Sequence, residues 1–337
     1  MTIFCKKISF LFLMAGSFVA CDTYDPEFNE TTLPERITFT APRQYPEGIA
    51  YAPSLDKFVI SSITQGKVGF VDQNGRYEDF IQRDTSLISA IGLKVYNGKL
   101  YVCNGDQGVS TKSKASTTLK TAGLFVYDLA TGNNLARYDL AALYPDSNHF
   151  ANDVAFDDKG NAYVTDSFAP VIYVVPADTT KPRVFVQSPL FGGTTGFNLN
   201  GIVYHSDNFL IVAKSNDGTL FKVNLNNPSL INQIVGPALP SADGMVLHEN
   251  DLYVVNSRNR VTRVRSDDNW STFKIVETDS NGYDQATTNV VVDGRIFTLN
   301  ARIGEVGAAV SANNPNQLQA SEYSIQQFRS GVLQNNQ

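Results

Sequence analysis

Cysteine, histidine and clustered positive charge are all scarce in this 337-residue chain, and each scarcity excludes a class of function. Only Cys5, Cys21 and Cys103 occur, and Cys5 lies in a leader-like segment, so no disulfide framework is expected. The three histidines, His149, His205 and His248, are not spaced as zinc ligands. No serine stands in the Gly-x-Ser-x-Gly setting of a nucleophile elbow. The net charge is -6, and without Lys6 and Lys7 of the leader it is -8; with no basic cluster to offset it, nucleic acid is excluded as a partner. Charged residues make up only 18% of the chain, against 15 Tyr and 21 Phe, which suits a β-rich protein with a large core.

The first twenty residues do not belong to that core. Lys6 and Lys7 precede an apolar run from Ile8 to Ala20, too short for a membrane span but suited to an export signal, so residues 1–20 are assigned to a signal peptide. The run ends Ser17-Phe-Val-Ala-Cys21, which resembles a bacterial lipobox with Phe18 in place of the usual Leu. Cys21 is therefore the expected lipidation site, and the protein is expected in the cell envelope, anchored on the exported side. Residues 21–35 are polar and proline-containing, and form the expected lipidated N-terminus and tether.

What the chain has in quantity is a repeat. Tyr45-Pro-Glu-Gly-Ile-Ala-Tyr51 returns as Ala90-Ile-Gly-Leu-Lys-Val95, Ala151-Asn-Asp-Val-Ala-Phe156, Leu199-Asn-Gly-Ile-Val-Tyr204, Ala242-Asp-Gly-Met-Val-Leu247 and Ala286-Thr-Thr-Asn-Val-Val291. Aligned at positions 48, 92, 153, 201, 244 and 288, the copies are 44, 61, 48, 43 and 44 residues apart. Each copy carries strand patterns separated by turns such as Asn74-Gly75, Asn97-Gly98 and Asp293-Gly294. The sixth lacks a fourth strand, and Arg36-Ile-Thr-Phe-Thr-Ala41 has the right pattern to supply it. The expected fold is an all-β, six-bladed β-propeller over residues 36–328, closed by an N-terminal strand, with a short tail at 329–337. Two connections, Asn104 to Ala122 in copy 2 and Ala301 to Ser321 in copy 6, are far longer than the rest and should rise beside Glu47.

The residue before each aligned position is Glu47, Ile91, Asn152, Asn200, Asp243 and Thr287. One such polar residue is ordinary turn chemistry, but four at one repeat position place four oxygen donors around a common axis. Two carboxylates and two amides, with a formal charge of -2, match a hard divalent cation: Ca²⁺, or another of its class. Its usual 6 to 8 oxygen ligands, roughly, leave places beyond these four for water and substrate. His149, three residues before Asn152, is within reach of such a site.

The Glu-Gly, Asn-Asp, Asn-Gly and Asp-Gly pairs of copies 1, 3, 4 and 5 resemble the calcium-binding pattern of the SMP-30/gluconolactonase family. They are also similar to that of the related hydrolases paraoxonase and diisopropyl fluorophosphatase. The resemblance spans about residues 36 to 328. It implies one catalytic Ca²⁺ on Glu47, Asn152, Asn200 and Asp243, and hydrolysis of a lactone or ester-like small molecule. The leader and lipobox make the expected protein an exported lipoprotein, and a monomer is expected. It implies catalytic work for Asp243, with Asp153 and His149 next in line. The arginine that many family members place on copy 2 has no counterpart in Ile88-Ser-Ala-Ile-Gly92. The alternative reading is a non-enzymatic propeller whose metal is structural and whose loop face binds a protein or glycan, because this fold hosts both.

Overall fold

The computed structural model describes residues 33–178, 181–193 and 196–331. The leader, Cys21 and most of the tether lie outside the described residues, as does the chain from 332 onward. Strand β1 is Arg36–Thr40. Copy 1 supplies β2 (Ile49–Ala52), β3 (Lys57–Ile60), β4 (Val68–Val71) and β5 (Tyr77–Ile81). Copy 2 supplies β6 (Ser89–Tyr96), β7 (Lys99–Gly105), β8 (Lys120–Asp128) and β9 (Asn134–Asp139). Copy 3 supplies β10 (His149–Phe156), β11 (Ala162–Asp166), β12 (Val171–Val175) and β13 (Arg183–Gln187). Copy 4 supplies β14 (Leu199–His205), β15 (Phe209–Lys214), β16 (Thr219–Asn224) and β17 (Ile231–Ile234). Copy 5 supplies β18 (Met245–His248), β19 (Asp251–Asn256), β20 (Arg260–Arg265) and β21 (Lys274–Asp279). Copy 6 supplies β22 (Ala286–Val292), β23 (Arg295–Asn300) and β24 (Glu322–Gln327).

Within a copy, consecutive strands pair antiparallel, which buries alternate side chains between neighbouring sheets. β8 and β10 also touch in parallel over His149↔Lys120 and Phe150↔Thr121, joining copies 2 and 3 into one hydrogen-bonded path. β1 pairs with β24 in the register Arg36↔Gln326 to Thr40↔Glu322. The arrangement is an all-β propeller: each first strand touches that of the next copy, and β22 touches β2. The core lies between sheets, as where Phe58 of copy 1 meets Phe297 of copy 6 edge-on at 5.6 Å.

The repeated glycine has a steric cause. A Cβ at Gly48 would collide with the Ile91 carbonyl oxygen, at Gly92 with that of Asn152, and at Gly201 with that of Asp243. The first strands thus pack backbone against backbone at this level, and four of six copies keep glycine there.

The long connection of copy 6 differs from a plain loop. It contains helix α1 (Ile303–Ser311) and a 3-10 turn at Pro315–Gln317. Val306 and Ala309 bury one side of α1, so a three-residue apolar spacing inside an Ala- and Gly-rich segment was enough to form it.

A candidate metal centre on the propeller axis

Strand pairing slips between Ala90 and Leu93, Ala151 and Val154, Leu199 and Ile202, and Ala286 and Asn289. In each case the irregularity contains the residue pair that the sequence repeat singles out. A bulge turns a side chain out of the alternating pattern of its strand, which is how Asn152 and Asn200 come to face the axis rather than a neighbouring sheet.

Hydroxyl groups then set the amide orientation. Asn152 Nδ2 donates to Ser167 Oγ at 3.0 Å, and Ser167 Oγ donates its only proton to the Leu199 carbonyl at 2.7 Å. Asn200 Nδ2 donates to Ser215 Oγ at 3.0 Å, and that hydroxyl donates to the Ala242 carbonyl. Each amide nitrogen is thereby committed, and each amide oxygen is left for the axis. Glu47 is held by its backbone: Ser61 Oγ accepts from its N–H at 3.1 Å, and Thr287 Oγ1 donates to its carbonyl at 2.7 Å. Thr287, which occupies the equivalent position in copy 6, is a prop for a ligand-type residue.

Glu47 Oε2, Asn152 Oδ1 and Asn200 Oδ1 are all buried with no hydrogen-bond partner. A single buried unsatisfied oxygen is unfavourable, and three on one cavity call for a partner there, a cation or ordered water. These residues and Asp243 line one cavity of about 380 Å³. Among the described residues no three of His, Cys, Asp and Glu gather as a metal site, in keeping with a donor set that is half amide. The set suits a hard cation of the calcium type, for which neutral and anionic oxygens are the preferred donors.

The carboxylates are poised for such an ion. Burial pushes the Glu47 carboxyl well above its usual range, and the nearby Asp243 and Asp153 push it further. Asp243 is raised to about 7, chiefly by burial, against the opposing effects of an Asn200 hydrogen bond and the Arg258 charge. It borders cavity solvent on one side but is enclosed by protein on the others, so desolvation dominates.

Asp153 and His149 take different places. Asp153 faces the narrower space beneath the ring, beside Gly92 and Gly244, where it accepts from Val154 N at 2.8 Å and Ile202 N at 3.4 Å. Burial raises its pKa, and Lys94 opposes the shift. His149 is buried in copy 3, its Nδ1 2.8 Å from Asp166 Oδ2 and 3.3 Å from the Tyr173 hydroxyl. It is not among the residues lining the cavity. The supporting Ser61, Ser167 and Ser215 were missed from sequence, although they stand 14, 15 and 15 residues after their partners. Arg258 and the α1 residues Ile303 and Val306, also on the cavity, carried no repeat signal.

No family model and no curated protein matches the sequence. Solved structures do match its fold. The allergen Mala s 1 of Malassezia sympodialis is 16% identical with a TM-score of 0.69, the match covering 91% of this chain and 99% of that one. A putative gluconolactonase is 12% identical with a TM-score of 0.59, covering 87% and 92%. Regucalcin of Agrobacterium tumefaciens, a calcium-binding protein, is 16% identical with a TM-score of 0.56, covering 87% and 93%. At this level of identity the likeness shows the fold alone: the chain shares the propeller fold of these solved structures.

Proposed function

We propose that this protein is a six-bladed propeller that holds Ca²⁺ on Glu47, Asn152, Asn200 and Asp243 and hydrolyses a lactone or related ester. The observation that carries the reading is the convergence of three unpartnered buried oxygens with a fourth oxygen donor on one cavity floor. The calcium-binding protein and the putative gluconolactonase among the similar folds support it. Bound there, the ion would supply Lewis-acid polarisation of a substrate carbonyl. Asp243 is the residue of this chain best suited to act as base or nucleophile, since it alone of the two ring carboxylates meets cavity solvent to an intermediate degree. Glu47, more deeply buried and braced through Ser61 and Thr287, is assigned to binding.

Closure by β1 is part of the proposal, supported by its five-pair register with β24. Removal of residues through 43 should expose that edge and cause aggregation, which removal through 33 should not. Export and lipid anchoring through Cys21 are proposed from sequence alone. No helix among the described residues is long and apolar enough to cross a membrane, so Cys21→Ser should free the protein from the membrane fraction. The hydrolase reading is tested by turnover of a small lactone panel with and without chelator. Hydrolysis that survives full calcium removal sinks the metal role; calcium binding with no turnover leaves the structural-metal propeller.

A further inference from the structure

Of the described residues lining the cavity, one is cationic: Arg258, on the turn between β19 and β20. We propose that Arg258 is the binding site for a carboxylate carried by the substrate, opposite the end of the ligand that meets Glu47 and Asp243. The proposal rests on the hydrolase reading for its chemistry, but its geometry stands apart from it.

Arg258 is exposed, and its guanidinium makes no hydrogen bond or ion pair among the described residues. The residue lines the same cavity as Glu47 and Asp243. The backbone that presents it is unusual: Ser257 and Arg258 both have left-handed φ, 52° and 60°, though neither is Gly or Asn. Such a conformation costs about 1 kcal/mol or more per residue and persists only where surrounding contacts enforce it. Here Ser257 N donates to the Pro240 carbonyl at 2.7 Å, and the Arg258 carbonyl accepts from Ala286 N at 2.7 Å. The turn is thus fixed at both residues while the side chain stays free. Gly304 lies beside it: a Cβ there would stand 3.4 Å from Arg258 Nη1 and would collide with Gln285 Oε1, which accepts from Gly304 N.

The remaining wall decides the rest of the ligand. Phe150 and Phe197 meet edge-on at 5.5 Å, and together with Ile303 and Val306 they give the cavity an apolar side. A ligand fitting this arrangement has a small apolar body and a single anionic group. One unpaired guanidinium balances one negative charge and can engage a carboxylate through two parallel hydrogen bonds, which favours a carboxylate over a dianionic phosphate.

The test uses the full calcium-loaded protein and two matched pairs of probes. Tetrahydrofuran-2-carboxylate and its carboxamide, which cannot undergo lactone hydrolysis, report binding by calorimetry; 5-oxotetrahydrofuran-2-carboxylate and its carboxamide report turnover. The carboxylate should bind at least about tenfold tighter than the amide, a preference that R258Q abolishes and R258K retains in part. R258Q should likewise lower kcat/KM for the carboxylate lactone at least about tenfold more than for the amide. Equal affinities in the native protein, or an equal loss for both members in a folded R258Q, overturn the proposal. Should R258Q fail to fold, the same pairs are read in R258K, where an unchanged preference also overturns it. A binding preference with no turnover of either lactone removes the hydrolase reading and leaves the carboxylate site standing. Turnover of both lactones with no preference does the reverse.

Discussion

The two long connections, in copies 2 and 6, differ in what they give the site. The copy-2 segment is organised around itself. Buried Asp106 accepts from Gly108 N at 2.7 Å and from the hydroxyls of Ser113 and Thr117, while Lys112 Nζ caps the carbonyls of Gly66, Asp84 and Leu87 at 2.7, 2.8 and 3.1 Å. It offers the cavity only Gln107. The copy-6 segment turns its helix inward, placing Ile303, Val306 and Gly307 on the cavity, and is latched to copy 1 where the Tyr45 hydroxyl donates to Glu305 at 2.6 Å. Similar length therefore does not mean equal role. A connection whose buried polar groups are satisfied within itself and by the backbone of copies 1 and 2 becomes part of the scaffold, and one with an apolar helical face becomes part of the pocket.

The largest expected effect belongs to the floor that both segments stand over, and it would break the comparison if it failed. Asp243→Asn should lower turnover at saturating calcium by about a thousandfold while weakening calcium binding far less; Glu47→Gln should do the reverse. Calorimetric calcium titration beside initial rates separates the two, and near-full rates in Asp243→Asn would move the chemistry elsewhere. Next, Val306→Trp should fill the cavity from the copy-6 side and cut kcat/KM by about a hundredfold, with a stability loss of about 1–3 kcal/mol. Gln107→Ala on the other side should change kcat/KM by less than about threefold. Comparable losses from both would erase the distinction between scaffold and wall.

Asp106→Ala tests the scaffold half. It should cost about 3 kcal/mol in urea unfolding, because several donors lose a charged acceptor, yet leave KM of the folded protein nearly unchanged. A shifted substrate preference at unaltered stability would make the copy-2 segment a gate after all. The smallest effect is on pH. With its folded pKa raised to about 7, Asp243 makes the calcium-free protein lose stability as pH rises through that value, while calcium needs the ionised form. The rise in Tm on adding calcium should accordingly be larger at pH 8 than at pH 5, whereas the stability lost in Asp106→Ala should not follow that window. An equal calcium effect at both pH values would remove Asp243 from the ligand set.

Much of this was present in the order of residues. The repeat spacing and the glycine positions announced the propeller, because close backbone-to-backbone packing around an axis leaves no room for a Cβ at Gly48, Gly92, Gly201 and Gly244 and so marks four of the six copies. The same alignment picked out Glu47, Asn152, Asn200 and Asp243, since equivalent positions in a cyclic repeat must converge. The turns marked by Asn97-Gly98 and Asp293-Gly294 do separate the first and second strands of copies 2 and 6. Tertiary structure decided what repetition does not encode. Which end of each asparagine amide faces the axis depends on a serine that takes its Nδ2 and on a carbonyl from the next copy that takes the serine's proton. His149 was near Asn152 in sequence, but its Nδ1 is engaged by Asp166 and Tyr173 and the residue is not among those lining the cavity. Arg258, Ile303 and Val306 reach the cavity from segments that occur only once, and a residue without a repeated counterpart has no internal alignment to reveal it.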